Sequence, residues 1–119
     1  MNTTFASAQS LAADATLTGT TTRFPACRHI DFYYSVDVGT GTESVTLTVD
    51  VSEDGTTWRE GVPVRDLGTT GGNYVTSKEL TADGSGVLRL DINAPYVRPK
   101  AVNGGDSTAA VTIIAFGNP

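Results

Sequence analysis

The sequence predicts an all-β chain folded as one antiparallel β-sandwich, jelly-roll or immunoglobulin-like, with about seven or eight short strands. Three observations lead there. Apolar and polar residues alternate with a period of two over most of the chain, which places one face of each strand inward. Turn signals built on glycine, Asp-Gly above all, separate the alternating stretches. Charged residues make up only 18% of the chain while Thr and Gly are abundant, a bias toward strands and tight turns over helices.

The chain has 119 residues, enough for one core and too few for two. Residues 23–119 read as a single sandwich domain and residues 1–22 as an N-terminal arm or a first strand. Residues 29–38 alternate Ile30, Phe32, Tyr34 and Val36 against Asp31, Tyr33, Ser35 and Asp37. Residues 44–52 alternate Val45, Leu47, Val49 and Val51 against Thr46, Thr48, Asp50 and Ser52. The link between them, Gly39-Thr40-Gly41-Thr42-Glu43, has the length and the glycines of a hairpin loop, so these two strands are expected to pair. Asp54-Gly55 then turns the chain back through Trp58 toward Val62 and Val64, with Pro63 marking an edge or a bulge because it cannot donate to a ladder.

Residues 66–72 are polar and glycine-rich and read as a long flexible loop. A weaker strand over 73–80 follows, then a turn at 82–86. Residues 87–92 alternate Leu88, Leu90 and Ile92 against Val87, Arg89 and Asp91, and another strand runs over 96–102. A turn at Asn103-Gly104-Gly105-Asp106 leads into the last strand, 108–116. Its run Val111-Thr112-Ile113-Ile114-Ala115-Phe116 is apolar on both faces, which predicts burial on both sides. The expected core is Ile30, Phe32, Tyr34, Val36, Val45, Leu47, Val49, Leu88, Leu90, Ile113 and Ala115.

Composition narrows the function. The net charge is −5 and Lys and Arg are scattered singly, so no run of cations could neutralise adjacent phosphates, and nucleic acid is not the expected partner. No apolar stretch approaches the length of a membrane span, and no basic, then apolar, secretory leader is visible; a chain made in a cytoplasm is the expectation. The single cysteine, Cys27, excludes an internal disulfide and reads as a half-buried small hydrophobe.

Reactive residues are few. His29 is the one histidine and stands at a strand start, where a structural role is expected of it. One His and one Cys cannot build a structural zinc site, and Glu53, Asp54 and Asp83 lack the ligand spacing of a calcium loop. Gly84-Ser85-Gly86 is a turn, not a nucleophile elbow. No catalytic residue, no cofactor and no metal are expected, and the chain reads as a binding module instead of an enzyme. Tyr33 points opposite to Phe32 and Tyr34 and is the best candidate for an exposed aromatic. Tyr74, Tyr96 and Trp58 could extend a platform for a protein or a sugar, Trp58 alternatively packing over the edge of the core.

The stretch from Asp31-Phe32-Tyr33-Tyr34-Ser35-Val36-Asp37 through Ser52-Glu53-Asp54-Gly55-Thr56-Thr57-Trp58, with the later Tyr96-Val97-Arg98-Pro99-Lys100-Ala101, resembles small β-sandwich virion proteins of tailed bacteriophages. Capsid decoration (cement) proteins are the members it resembles most. The resemblance implies a chain on the outer capsid surface of the virion, bound to the major capsid protein, stabilising the shell and forming a homotrimer. The Thr/Ala/Ser-rich start, residues 2–22 with Asp14 as its one charged side chain, would suit an arm that adds a strand to a partner sheet. Thr3, Thr4, Phe5 and Leu11 of that arm, with Tyr33 and Tyr74, are the expected partner-binding residues. Residues 1–13 are expected to order only on the partner. The alternative is a carbohydrate-binding or receptor-adhesion module, tail-associated or secreted, which would expose several aromatics on one face.

Overall fold

The computed structural model describes residues 2–24, 27–38, 44–69, 71–91 and 94–118. Among them are eleven strands: β1 (Asn2–Leu11), β2 (Thr16–Thr18), β3 (Thr22–Arg23), β4 (His29–Asp37), β5 (Val45–Ser52), β6 (Val64–Asp66), β7 (Tyr74–Val75), β8 (Lys78–Leu80), β9 (Gly84–Leu90), β10 (Tyr96–Asn103) and β11 (Ala109–Asn118). The count exceeds the expected seven or eight because β2, β3, β6, β7 and β8 are only two or three residues long. Every pairing is antiparallel, in a six-stranded sheet ordered β1-β11-β4-β9-β6-β7 and a five-stranded one ordered β2-β10-β5-β8, with β3 also on β10.

With β3, β6 and β7 set aside, the orders β1-β11-β4-β9 and β2-β10-β5-β8 are those of a jelly roll. Successive main strands cross to the opposite sheet, except that β5 is followed by β8 in its own sheet. This overturns the expected hairpin between residues 29–38 and 44–52. Both strands form where the alternation places them, but β4 pairs with β11 and β9 while β5 pairs with β10 and β8. The link 39–43 lies outside the described residues. Two alternating strands joined by a short glycine link can close either as a hairpin or across a core. The period-two pattern is the same in both cases, so it cannot choose between them.

The expected core is present in full: Ile30, Phe32, Tyr34, Val36, Val45, Leu47, Val49, Leu88, Leu90, Ile113 and Ala115 are all buried. Ile92 lies outside the described residues. Gly86 is required opposite Tyr34, since a Cβ there would come within 2.6 Å of the buried phenol oxygen.

Residues 66–72 are not a loose loop. Asp66 ends β6 fully buried and organises the turn, its carboxylate accepting from Gly68 N–H (3.0 Å) and its carbonyl from Thr69 N–H (3.2 Å). The predicted strand over 73–80 splits into β7 and β8, one in each sheet. Residues 53–62 fold back over β5, with Val51 and Arg59 exchanging backbone hydrogen bonds of 3.0 and 2.8 Å and Val62 N–H reaching Val49 O at 3.0 Å. Gly55 closes that turn at φ 81°. Pro63 falls outside the ladders, where the chain leaves β5 for β6.

Residues 2–11 form a strand of the sandwich instead of a free arm. β1 pairs along β11 from Asn2↔Phe116 to Leu11↔Ala109, and Leu11 is buried in the core. Asn103 locks this corner, its amide donating to Leu11 O (3.0 Å) and Ser107 O (2.8 Å).

Truncating Leu47 or Phe32 to Ala should lower stability by about 2–5 kcal/mol in urea denaturation, because each vacates a filled site in the shared core. A second expectation concerns alkali. Burial pushes the Tyr34 phenol up, and a hydrogen bond to Asp66 does the same for the Lys78 ammonium. Both hold their protons more tightly when folded, so the stability they add is complete below about pH 10 and is lost as pH rises through the raised values. Melting temperature should therefore begin to fall above about pH 10, and Tyr34→Phe should make the fall shallower.

Candidate interaction face

The outward residues of the six-stranded sheet line up in rows set by strand register. One row crosses all six strands: Asn2, Phe116, Asp31, Arg89, Arg65 and Tyr74. The neighbouring row is Thr4, Ile114, Tyr33 and Val87. Where the two rows adjoin, Tyr33 (47% exposed) and Phe116 (38% exposed) pack edge to face with ring centroids 5.2 Å apart. Ile114 and Val87 are half-buried beside them. The result is an apolar, aromatic centre on regular strands.

Charged groups beside this centre are already matched to one another. Arg89 Nε donates to Asp31 Oδ1 at 2.7 Å and its second nitrogen to Oδ2 at 3.1 Å, a two-pronged pairing that leaves Asp31 buried on an outward-facing position. That hydrogen bond also holds the guanidinium pKa above its ordinary value. His29 Nε2 stands 3.7 Å from Asp31 Oδ2 at the start of β4, which accounts for the only histidine in structural terms. At the far edge Tyr74, 62% exposed, donates its hydroxyl to Asp91 Oδ2 at 2.9 Å, with the Arg65 guanidinium 5.7 Å from its ring centroid. The bond to Asp91 raises the Tyr74 pKa.

Of the residues expected to bind a partner, Thr4, Tyr33 and Tyr74 fall on this one face. Thr3 lies opposite the buried Ala115, Phe5 packs against the core with its ring 6.2 Å from that of Phe32, and Leu11 is buried. Phe116, Ile114, Arg65 and Arg89 belong to the face and were not expected there. The signal for two of them was present in the run 111–116, whose second apolar face was read as buried. Nothing covers it among the described residues: Thr112 and Ile114 are half-buried and Phe116 is exposed.

Other candidate groups serve the fold. Trp58 lies half-buried with Arg98 4.1 Å above its ring, and Arg98 in turn binds the fully buried Asp50 at 2.9 Å. Asp54 caps its own turn, accepting from Thr57 N–H (2.8 Å) and Thr56 N–H (2.9 Å), and these bonds hold its carboxyl well below the usual range. Asp83 accepts from Val38 N–H at 2.9 Å. A depression of about 330 Å³ opens beside Asp54, Thr57 and Arg59.

No protein-family model matches the chain, and no curated protein matches it by sequence. Solved structures share its fold. The PBSX exported protein XepA superposes with a TM-score of 0.66 at 11% identity, over 99% of this chain and 37% of XepA, so the chain spans little more than a third of that protein. The SPBc2 prophage-derived protein YomS gives 0.61 at 16% identity, over 97% of this chain and 90% of YomS. These structural neighbours are phage-derived, and at such identities the likeness is one of fold.

Replacing Arg89 by Met should strand the Asp31 carboxylate on the face without its two-pronged partner. The expected cost is about 3–5 kcal/mol in urea denaturation. A cost under about 1 kcal/mol would mean that the pair behaves as an ordinary surface bridge.

Proposed function

We propose that this chain is a structural protein of a bacteriophage particle, a head decoration protein that lays the outer face of its six-stranded sheet on the major capsid protein and stabilises the shell. The observation that carries the reading is the exposed Tyr33–Phe116 ring pair with Ile114 beside it. Aromatic side chains supply large contact area for little rotamer entropy, and interfaces concentrate their energy in such clusters. The paired Asp31 and Arg89 add polar surface whose internal hydrogen bonds survive docking, so desolvation there is cheap. The shared fold with prophage proteins and the resemblance of residues 31–101 to virion sandwiches support the same reading. On a shell, many copies of one modest contact act together.

A second reading, adhesion to a carbohydrate, is favoured by the presence of Tyr33, Phe116 and Tyr74 on one face. The rings would take the apolar faces of sugars, and Arg65 would bind their hydroxyls.

The deciding experiment mixes the protein with undecorated shells assembled from the coat protein of the phage that carries its gene and measures occupancy by co-sedimentation. The double variant Tyr33→Ser, Phe116→Ser should bind at least about tenfold more weakly, while its melting temperature stays close to that of the parent. Full occupancy by the double variant would reject the face. Binding to host surface polysaccharide with no binding to shells would favour adhesion.

A further inference from the structure

We infer that two copies of this chain associate by antiparallel pairing of their β1 edges about a two-fold axis. The inference stands on the sheet edges and is independent of what the aromatic face binds. Among the described residues β1 has one neighbour, β11, and forms one border of the six-stranded sheet. The other borders, β7, β8, β2 and β3, are two or three residues long, too short to template a strand, whereas β1 has ten residues. A long open edge presents unpaired backbone N–H and C=O groups.

Three further features of β1 point to a second copy as its occupant. Ser7, Ala8, Gln9 and Ser10 are consecutively exposed, so this part of the strand is open on both faces. The strand carries no charge at all in a chain of net charge −5, and contains none of the Lys or Pro residues that commonly guard such edges. Copies that repel elsewhere therefore meet here at least electrostatic cost. The ladder to β11 is broken between Thr4 and Ala6 and between Ala6 and Gln9, leaving regular segments at Asn2–Thr4 and Gln9–Leu11. Ala8, at φ 46°, turns its N–H inward to Thr112 Oγ1 at 2.9 Å, so the bulge is satisfied within its own chain. A two-fold axis near residue 7 sets the first regular segment of each copy against the second segment of the other, with the bulges facing at the axis. An isologous contact of this kind uses the same strand twice and closes at two copies.

The test is light scattering on the eluting protein over a concentration series. The parent should reach twice the 12.4 kDa chain mass. The variant Ser7→Lys, Gln9→Lys sets like charges across the axis and should stay at the single-chain mass with its melting temperature unchanged. Amide exchange in residues 2–11 of the parent should slow as concentration rises, and Tyr33→Ser, Phe116→Ser should leave the doubled mass intact. A single-chain mass for the parent at every concentration, a trimer or larger ring, or a lysine variant that still doubles would each overturn the pairing. A monomer that still decorates shells would overturn it while leaving the docking face in place.

Discussion

The apolar faces of β4 and β5, pressed together across the core, are the contact on which the other elements depend. Phe32 and Tyr34 from one strand and Leu47 and Val49 from the other, with Leu88 and Ile113, are all buried in one cluster. Because consecutive main strands other than β5 and β8 lie in opposite sheets, and β5 and β8 share only three paired positions, no long ladder is built from sequence neighbours among the described residues. β11 must return from the end of the chain to lie between β1 and β4, and β10 must reach β5. These ladders join segments far apart in the chain, so the cost of closing long loops is offset in large part by apolar burial.

Three aspartates then hold the excursions of the chain onto that core. Asp50, on the outward side of β5, binds Arg98 (2.9 Å), Lys100 (3.0 Å) and Gly61 N–H (3.1 Å), pinning residues 53–62 over the five-stranded sheet. Asp66 binds Lys78 at 2.8 Å and joins the end of β6 to the start of β8. Asp31 joins β4 to β9 through Arg89. All three are buried and each has a cation in contact, which is the condition for a carboxylate to remain charged away from water. The singly scattered Lys and Arg, unremarkable as a charge pattern, are in large part the partners of these groups.

The strands and the core were legible because both follow from periodicity. Every apolar residue assigned inward on β4 and β5 is buried, and Tyr33, in the polar phase of its strand, is exposed as expected. Connectivity was not legible, since a period of two is identical in a hairpin and in a crossover. The buried aspartates were assigned to solvent or to a loop for a related reason. Alternation says which side of a strand a residue leaves from, and whether a distant segment later covers that side is a tertiary fact. Phe116 and Ile114 failed in the opposite sense. An apolar residue on each side of β11 suggested two covered faces, but only the side bearing Val111, Ile113 and Ala115 meets the other sheet. Thr3, Phe5 and Leu11 were grouped with an arm because residues 1–13 carry no charge, and the same lack of charge suits a strand docked on its own sandwich.

The place of the face on regular strands governs how it can work. A loop must be ordered on binding, and that ordering subtracts from affinity. Tyr33 and Phe116 stand on β4 and β11, inner strands held on both sides by ladders, and each ring limits the other's rotation. Tyr74 stands on a two-residue edge strand, and its hydroxyl bond to Asp91 and the nearby Arg65 supply the restraint the strand lacks. The polar groups between the rings satisfy each other within the chain, so a partner need offer shape and apolar surface more than matching charge. A preorganised surface of that kind loses little on docking. Its weakness is area, because one such patch is small. In the proposed decoration role, repetition of the patch on a symmetric shell would supply what the single copy lacks, and pairing at the β1 edge would add to it by setting two outer faces side by side in one continuous sheet, both turned the same way.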